Sequence, residues 1–130
     1  MENILPTELS QFILEKIDSV AQLEALLLCR ENPKTGWTLA ELSNRLYISE
    51  AQAGEVLNRL SSERLLVPNP GEPDRYHFEP ATQELSDVVA QLAEAYSKHL
   101  VPVTNLIHSK PKSRLQEFAD AFRLRKDQSQ

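Results

Sequence analysis

A chain of 130 residues with a formal net charge of −5 fits a single domain, with room for one core and an appendage. Its 41% hydrophobic and 25% charged residues are ordinary globular values, which excludes global disorder. The longest apolar runs, such as Ala25 to Cys29, are far too short to span a bilayer, and MENILPTELS at the start lacks the basic residues and apolar core of a secretion signal. A cytoplasmic location is the expectation.

The charge is unevenly spread. Residues 1–79 carry 7 basic and 13 acidic side chains, a net of −6, whereas residues 80–130 carry 7 basic and 6 acidic, a net of +1. The globular half is acidic and the local basic clusters lie in the extension, which bears on any contact with a polyanion. The single cysteine, Cys29, has no partner for an internal disulfide and sits in an apolar helical run, where it reads as a small buried hydrophobe.

In chain order, Leu9, Phe12, Ile13 and Ile17 recur at helical spacing and predict a short helix over Thr7 to Ile17. Ser19 and Gln22 form the sequence of a capping box, in which each side chain satisfies a free backbone N–H of the first turn. The helix they open carries Val20, Leu23, Leu26 and Leu27 on one face and ends at Asn32-Pro33. Trp37 reads as a short strand. Thr38 with Glu41 opens a helix bearing Leu39, Leu42 and Leu46, and Ser49 with Gln52 opens one bearing Ala53, Val56, Leu57 and Leu60. Only Tyr47 and Ile48 separate these two helices, so they must cross steeply. Leu65 to Val67 then read as a strand, Pro68 to Asp74 as a turn-rich tip and Arg75 to Phe78 as the returning strand.

The segment GWTLAELSNRLYISEAQAGEVLNRLSSERLLV, residues 36–67, resembles the winged helix-turn-helix core of small bacterial transcriptional regulators. The shared pattern is a Thr cap, Glu-Leu, an apolar residue before Ile-Ser, and a helix ending Leu-x-x-Leu-x-x-x-x-Leu-Leu. Tyr47 stands where that family often has glycine, and Ser43 where it often has alanine. The resemblance covers Trp37 to Phe78 and implies a DNA-binding regulator.

Beyond the hairpin, Pro80 suits the first turn of a further helix. An apolar stripe of Leu85, Val88, Val89, Leu92, Tyr96, Leu100, Val103 and Ile107 follows, which Pro102 should kink or break. HSKPKSR at 108–114 reads as a break, and a final helix carries Leu115, Phe118, Ala119 and Phe122, with Ser113 and Gln116 as its cap. So much apolar surface implies a partner, most simply a second copy of the chain held through Leu85, Val89, Leu92, Tyr96, Leu100, Phe118 and Phe122.

On a DNA-binding reading, Ser49, Gln52, Asn58 and Arg59 of the second helix of the motif face the major groove and Arg75 serves the wing. Gln and Asn pair with adenine and Arg with guanine. Glu50, Glu55, Glu72 and Asp74 oppose this by setting carboxylates against phosphate. Lys110, Lys112 and Arg114, and again Arg123, Arg125 and Lys126, have the right sign for sequence-independent phosphate contact, although most such clusters are simply solvated faces or helix-dipole partners. Gly54 inside a helix reads as close packing against the preceding one or, less simply, as room for a ligand at the backbone, and Trp37 and Tyr76 read as wing-packing aromatics or as base-stacking ones. His77, His99 and His108 lack zinc spacing, so no metal is expected. Gly36, Gly54 and Gly71 form no phosphate-cradling loop and no nucleophile elbow occurs, so neither a cofactor nor an enzyme is expected.

The expected fold is mainly α: a winged helix with a short N-terminal helix over residues 1–79 and a helical, dimerising extension over residues 80–130. Its expected role is a DNA-binding transcriptional regulator acting as a homodimer. The alternative is a protein-interaction module that keeps the winged-helix frame and docks a partner on its acidic face.

Overall fold

A computed structural model describes residues 5–109. The final predicted helix, with Phe118 and Phe122, and the basic residues from Lys110 onward lie outside the described residues. The elements are α1 (Thr7–Lys16), α2 (Val20–Glu31), α3 (Leu39–Leu46), α4 (Glu50–Ser62), β1 (Leu66–Asn69), β2 (Glu72–Phe78), α5 (Gln83–Lys98) and α6 (Leu100–His108).

Local chemistry explains most boundaries. Ser19, Thr38, Ser49 and Thr82 each hold extended backbone and accept a hydrogen bond from the N–H three residues on, a cap worth about 1 kcal/mol. Only Thr38 and Glu41 close a full reciprocal box among the described residues. Gln22, expected to complete a box with Ser19, instead accepts from the N–H of Asp18 at 2.7 Å and donates to the carbonyl of Lys16 at 2.7 Å. Buried there, it ties the α1–α2 corner and satisfies backbone groups that burial would otherwise orphan. Pro80 does not open α5; Thr82 does, because its hydroxyl takes the Leu85 N–H at 3.1 Å.

The long apolar stripe is interrupted at His99, three residues before Pro102. A proline ring clashes with the carbonyl four residues back, here that of Lys98, so the helix must end upstream. Pro102 then falls in the first turn of α6, where an N–H is not needed.

β1 and β2 pair antiparallel with Leu66 opposite Phe78, Val67 opposite His77 and Pro68 opposite Tyr76, and the register slips between Pro68 and Asn69. Trp37 adds an isolated bridge to β2: it donates to the Tyr76 carbonyl at 2.8 Å and accepts from the Tyr76 N–H at 3.0 Å. Gly36 beside it is required by space, since a Cβ there would meet the Asn69 side chain at 2.5 Å and Arg75 Cβ at 3.0 Å. A Cβ on Gly54 would lie 3.3 Å from Leu39, in accord with close packing of α4 on α3.

One core runs through the described residues. Leu9, Ile13 and Ile17 of the first segment pack with Leu23 and Leu26 of α2, Leu42 of α3, Leu57 and Leu60 of α4, Val89 and Leu92 of α5, and Val103 and Ile107 of α6. Helix α1 touches both α5 and α6. A division at Glu79/Pro80 therefore does not separate two cores. The stripe expected to await a second chain is largely covered from within: Val89 and Leu92 are fully buried, Leu85 and Tyr96 are half-buried, and Leu100 alone of the described set is exposed, at 51%.

Candidate nucleic-acid interface

The turn between α3 and α4 positions the candidate site. Its short connection works because Tyr47 adopts the left-handed conformation, φ 58° and ψ 43°, in the place where the resemblance has glycine. That conformation crowds a Cβ and costs about 1–2 kcal/mol for an ordinary residue. The side chain is 94% exposed, so packing does not offset the cost. Ser43 supplies part of the compensation. Its buried hydroxyl donates to the Ile48 carbonyl at 2.6 Å, and its own carbonyl accepts from the Ile48 N–H at 3.1 Å. The departure from alanine is thus a hydrogen bond across the turn, visible only once the two ends are brought together.

Helix α4 buries Ala53, Val56, Leu57 and Leu60 and exposes Glu50, Ala51, Gln52, Glu55 and Asn58. Gln52 and Asn58 are separated by about 9 Å along the axis at 1.5 Å per residue, and Glu55 stands between them. Ser49 keeps its hydroxyl on the Gln52 N–H at 3.0 Å as the helix cap.

The two described arginines expected to meet DNA point elsewhere. Arg59 is turned toward the α1–α2 corner, donating to the Glu15 carbonyl at 3.1 Å and pairing with Asp18 at 3.3 Å and Glu63 at 3.1 Å. Lys16 pairs with the same Glu63 at 2.9 Å, making one cluster that braces α4 against α1. Its position one residue past Asn58 carries it off the outer face and into the corner, a placement that helical spacing leaves open between groove and scaffold.

Arg75 folds back across the wing base. It donates to the Gly36 carbonyl and to Glu41 Oε1, both at 2.9 Å, with Glu72 at 4.0 Å. The bond from Arg75, then the Thr38 N–H, hold the Glu41 carboxyl below the usual range, and the same contact raises Arg75. Glu41 therefore serves twice, as the box residue of α3 and as the anchor of the wing. Glu72 and Asp74 remain exposed at the wing tip.

Arg45 is the described cation that stays exposed on α3, its guanidinium 6.0 Å from the centre of the Trp37 ring. Trp37 and Tyr76 are both half-buried and bonded to each other through backbone, which makes them wing-packing residues. Burial pushes the Cys29 thiol up to about 12. Among the described residues no group of three His, Cys, Asp or Glu is placed to hold a metal ion, and no helix is long and apolar enough to cross a membrane.

No protein-family model matches the chain, and no curated protein does either. Solved structures do. RV1404 from Mycobacterium tuberculosis aligns with a TM-score of 0.50 at 18% identity, over 88% of this chain and 82% of that one. A mutant of MepR from S. aureus aligns with a TM-score of 0.50 at 12% identity, over 92% and 87%. The multiple antibiotic-resistance repressor MarR from Listeria monocytogenes aligns at 0.46 and 20% identity, over 85% and 71%. MepR and the Listeria protein are MarR-family winged-helix regulators of transcription. What the two matches at 0.50 share with this chain is the fold, and the winged helix-turn-helix expected over Trp37 to Phe78 is borne out.

Proposed function

We propose that the chain is a transcriptional regulator whose α4 is presented to duplex DNA. The observation that carries this reading is the outer face of α4, where Gln52 and Asn58 stand free on a helix fixed from behind by Leu57, Leu60 and the Arg59 brace. Each amide has the donor–acceptor pair that matches adenine in the major groove. With Arg59 and Arg75 occupied, phosphate attraction falls to Arg45 and to the basic clusters from Lys110 onward, so affinity is modest and strongly salt-dependent. As a homodimer the regulator sets two α4 helices roughly 34 Å apart, one DNA turn. Exposed Leu100 and Val101 at the α5–α6 junction supply the apolar contact between copies.

The test is fluorescence anisotropy of a labelled duplex at low and moderate salt. Binding that weakens steeply with salt, and that Gln52→Ala with Asn58→Ala loses, supports the reading. A flat signal at low salt removes it and leaves the second reading, docking of a basic protein surface on α4 and the wing. Four exposed carboxylates, Glu50, Glu55, Glu72 and Asp74, favour that second reading.

A further inference from the structure

Helices α1 and α5 lie side by side with a furrow between them. One end is a cleft of about 620 Å³ lined by Glu8, Phe12, Glu15, Glu84, Asp87 and Val88 among others, and Gln91 joins it to a second hollow of about 310 Å³ that reaches Lys98 and His99. On α5 the lining positions 84, 87, 88, 91, 94, 95 and 98 form one face, about 21 Å long at 1.5 Å per residue. The floor is apolar, from Phe12, Leu85 and Val88, and both walls are acidic. Lys16 and Lys98 belong to the lining, but each is paired with a carboxylate, Glu63 and Glu94, at 2.9 Å. Glu8, Glu15 and Glu84 pair with no cation among the described residues, and Asp87 accepts from Gln83.

We propose that this furrow is the docking site of the chain's own C-terminal segment, residues 110–130. The proposal does not rest on α4 meeting DNA, and a docked segment withdraws its cations from the phosphate contact proposed above. The segment carries six cations and three carboxylates, a net of +3, opposite in sign to the furrow. Leu115, Phe118, Ala119 and Phe122 have the i, i+3, i+4, i+7 spacing of a helical apolar stripe. At about 100° per residue, Arg114, Arg123 and Arg125 flank that stripe on its two sides, while Glu117 and Asp120 fall on the far face. An apolar strip edged with cations matches an apolar floor edged with carboxylates. The helix that the sequence predicts here, Arg114 to Lys126, would span about 20 Å, within the length of the furrow. Lys110 to Ser113 give a tether of up to roughly 14 Å when extended, and the tether makes docking within one chain the favoured event because it raises the local concentration of the segment.

Chymotrypsin cleavage after Phe118 and Phe122 tests this in the full chain, with a synthetic peptide of residues 110–130 as the free reference. Cleavage in the chain is expected to be at least roughly tenfold slower than in the peptide, with the gap narrowing at about 0.5 M salt. Glu84→Lys with Asp87→Lys, both on exposed side chains, should abolish the protection, and adding Arg123→Glu with Arg125→Glu should restore part of it. Circular dichroism of each variant separates loss of docking from loss of fold. Equal rates in chain and peptide, or protection indifferent to the α5 reversals, overturn the proposal. Protection that vanishes on dilution together with a dimer in sedimentation places the segment in a second copy and overturns docking within one chain.

Discussion

The outer surface of α4 with the wing tip, and the furrow between α1 and α5, are both acidic, yet they are built for different contacts. On α4 the carboxylates Glu50 and Glu55 share the face with the amides of Gln52 and Asn58, and the apolar residues Ala53, Val56, Leu57 and Leu60 point away into the core. In the furrow the carboxylates stand on two walls above Phe12, Leu85 and Val88. Charge sets the sign of a partner in each case. The layer beneath sets its class: a face without apolar floor recognises hydrogen-bonding edges, whereas a floored one takes an amphipathic segment.

The sharpest way to separate the two sides is to ask what each residue holds up. Leu92, fully buried behind the furrow, should cost about 2–5 kcal/mol as Leu92→Ala in urea unfolding. Were it an interface residue instead, the variant would dissociate a dimer and leave the monomer's stability intact. On the other side, Arg59→Gln should cost about 1 kcal/mol through loss of the brace, while its neighbour Asn58→Ala stays within about 0.5 kcal/mol. Equal effects on stability would erase the distinction between a strut and a reader. Tyr47→Gly should raise stability by about 0.5–1 kcal/mol, since glycine adopts φ 58° without the Cβ penalty and the ring is exposed.

The smallest effect belongs to the wing. The folded pKa of Glu41 lies below its ordinary value of 4.5, so its contribution is complete above that value and is lost as pH falls through the depressed one. Trp37, bonded to the returning strand beside it, should report an acid transition below about pH 4.5 that Glu41→Gln lacks. A transition unchanged in the variant would detach the wing from the Arg75 contact.

The helix-turn-helix was legible because its signals are local. Thr38, Ser49 and the 3.6-residue apolar spacing act within a turn or two, and the short link from Tyr47 to Ser49 leaves little choice of geometry. Direction in three dimensions was less legible. Arg59 and Arg75 look alike in sequence to groove-facing cations, and only the proximity of Asp18, Glu63 and Glu41 shows where their charge is spent. The α5 stripe was read correctly as apolar, but no local signal says that α1, some 75 residues earlier, returns to cover part of it. The furrow was missed for the same reason: its two walls come from opposite ends of the chain. Glu8 and Glu15 at i and i+7 on α1, and Glu84 and Asp87 at i and i+3 on α5, were the available hint.

The brace at Arg59 sets a limit on modularity. Helix α4 is clamped near its C-terminal end by Glu15, Asp18 and Lys16 through Glu63, all but the last lying outside the helix-turn-helix itself. A graft of residues 36–78 onto another scaffold would carry the caps, the turn and the wing but leave the clamp behind. In engineering terms the portable unit begins at α1, and a chimera joined later inherits the motif without its alignment.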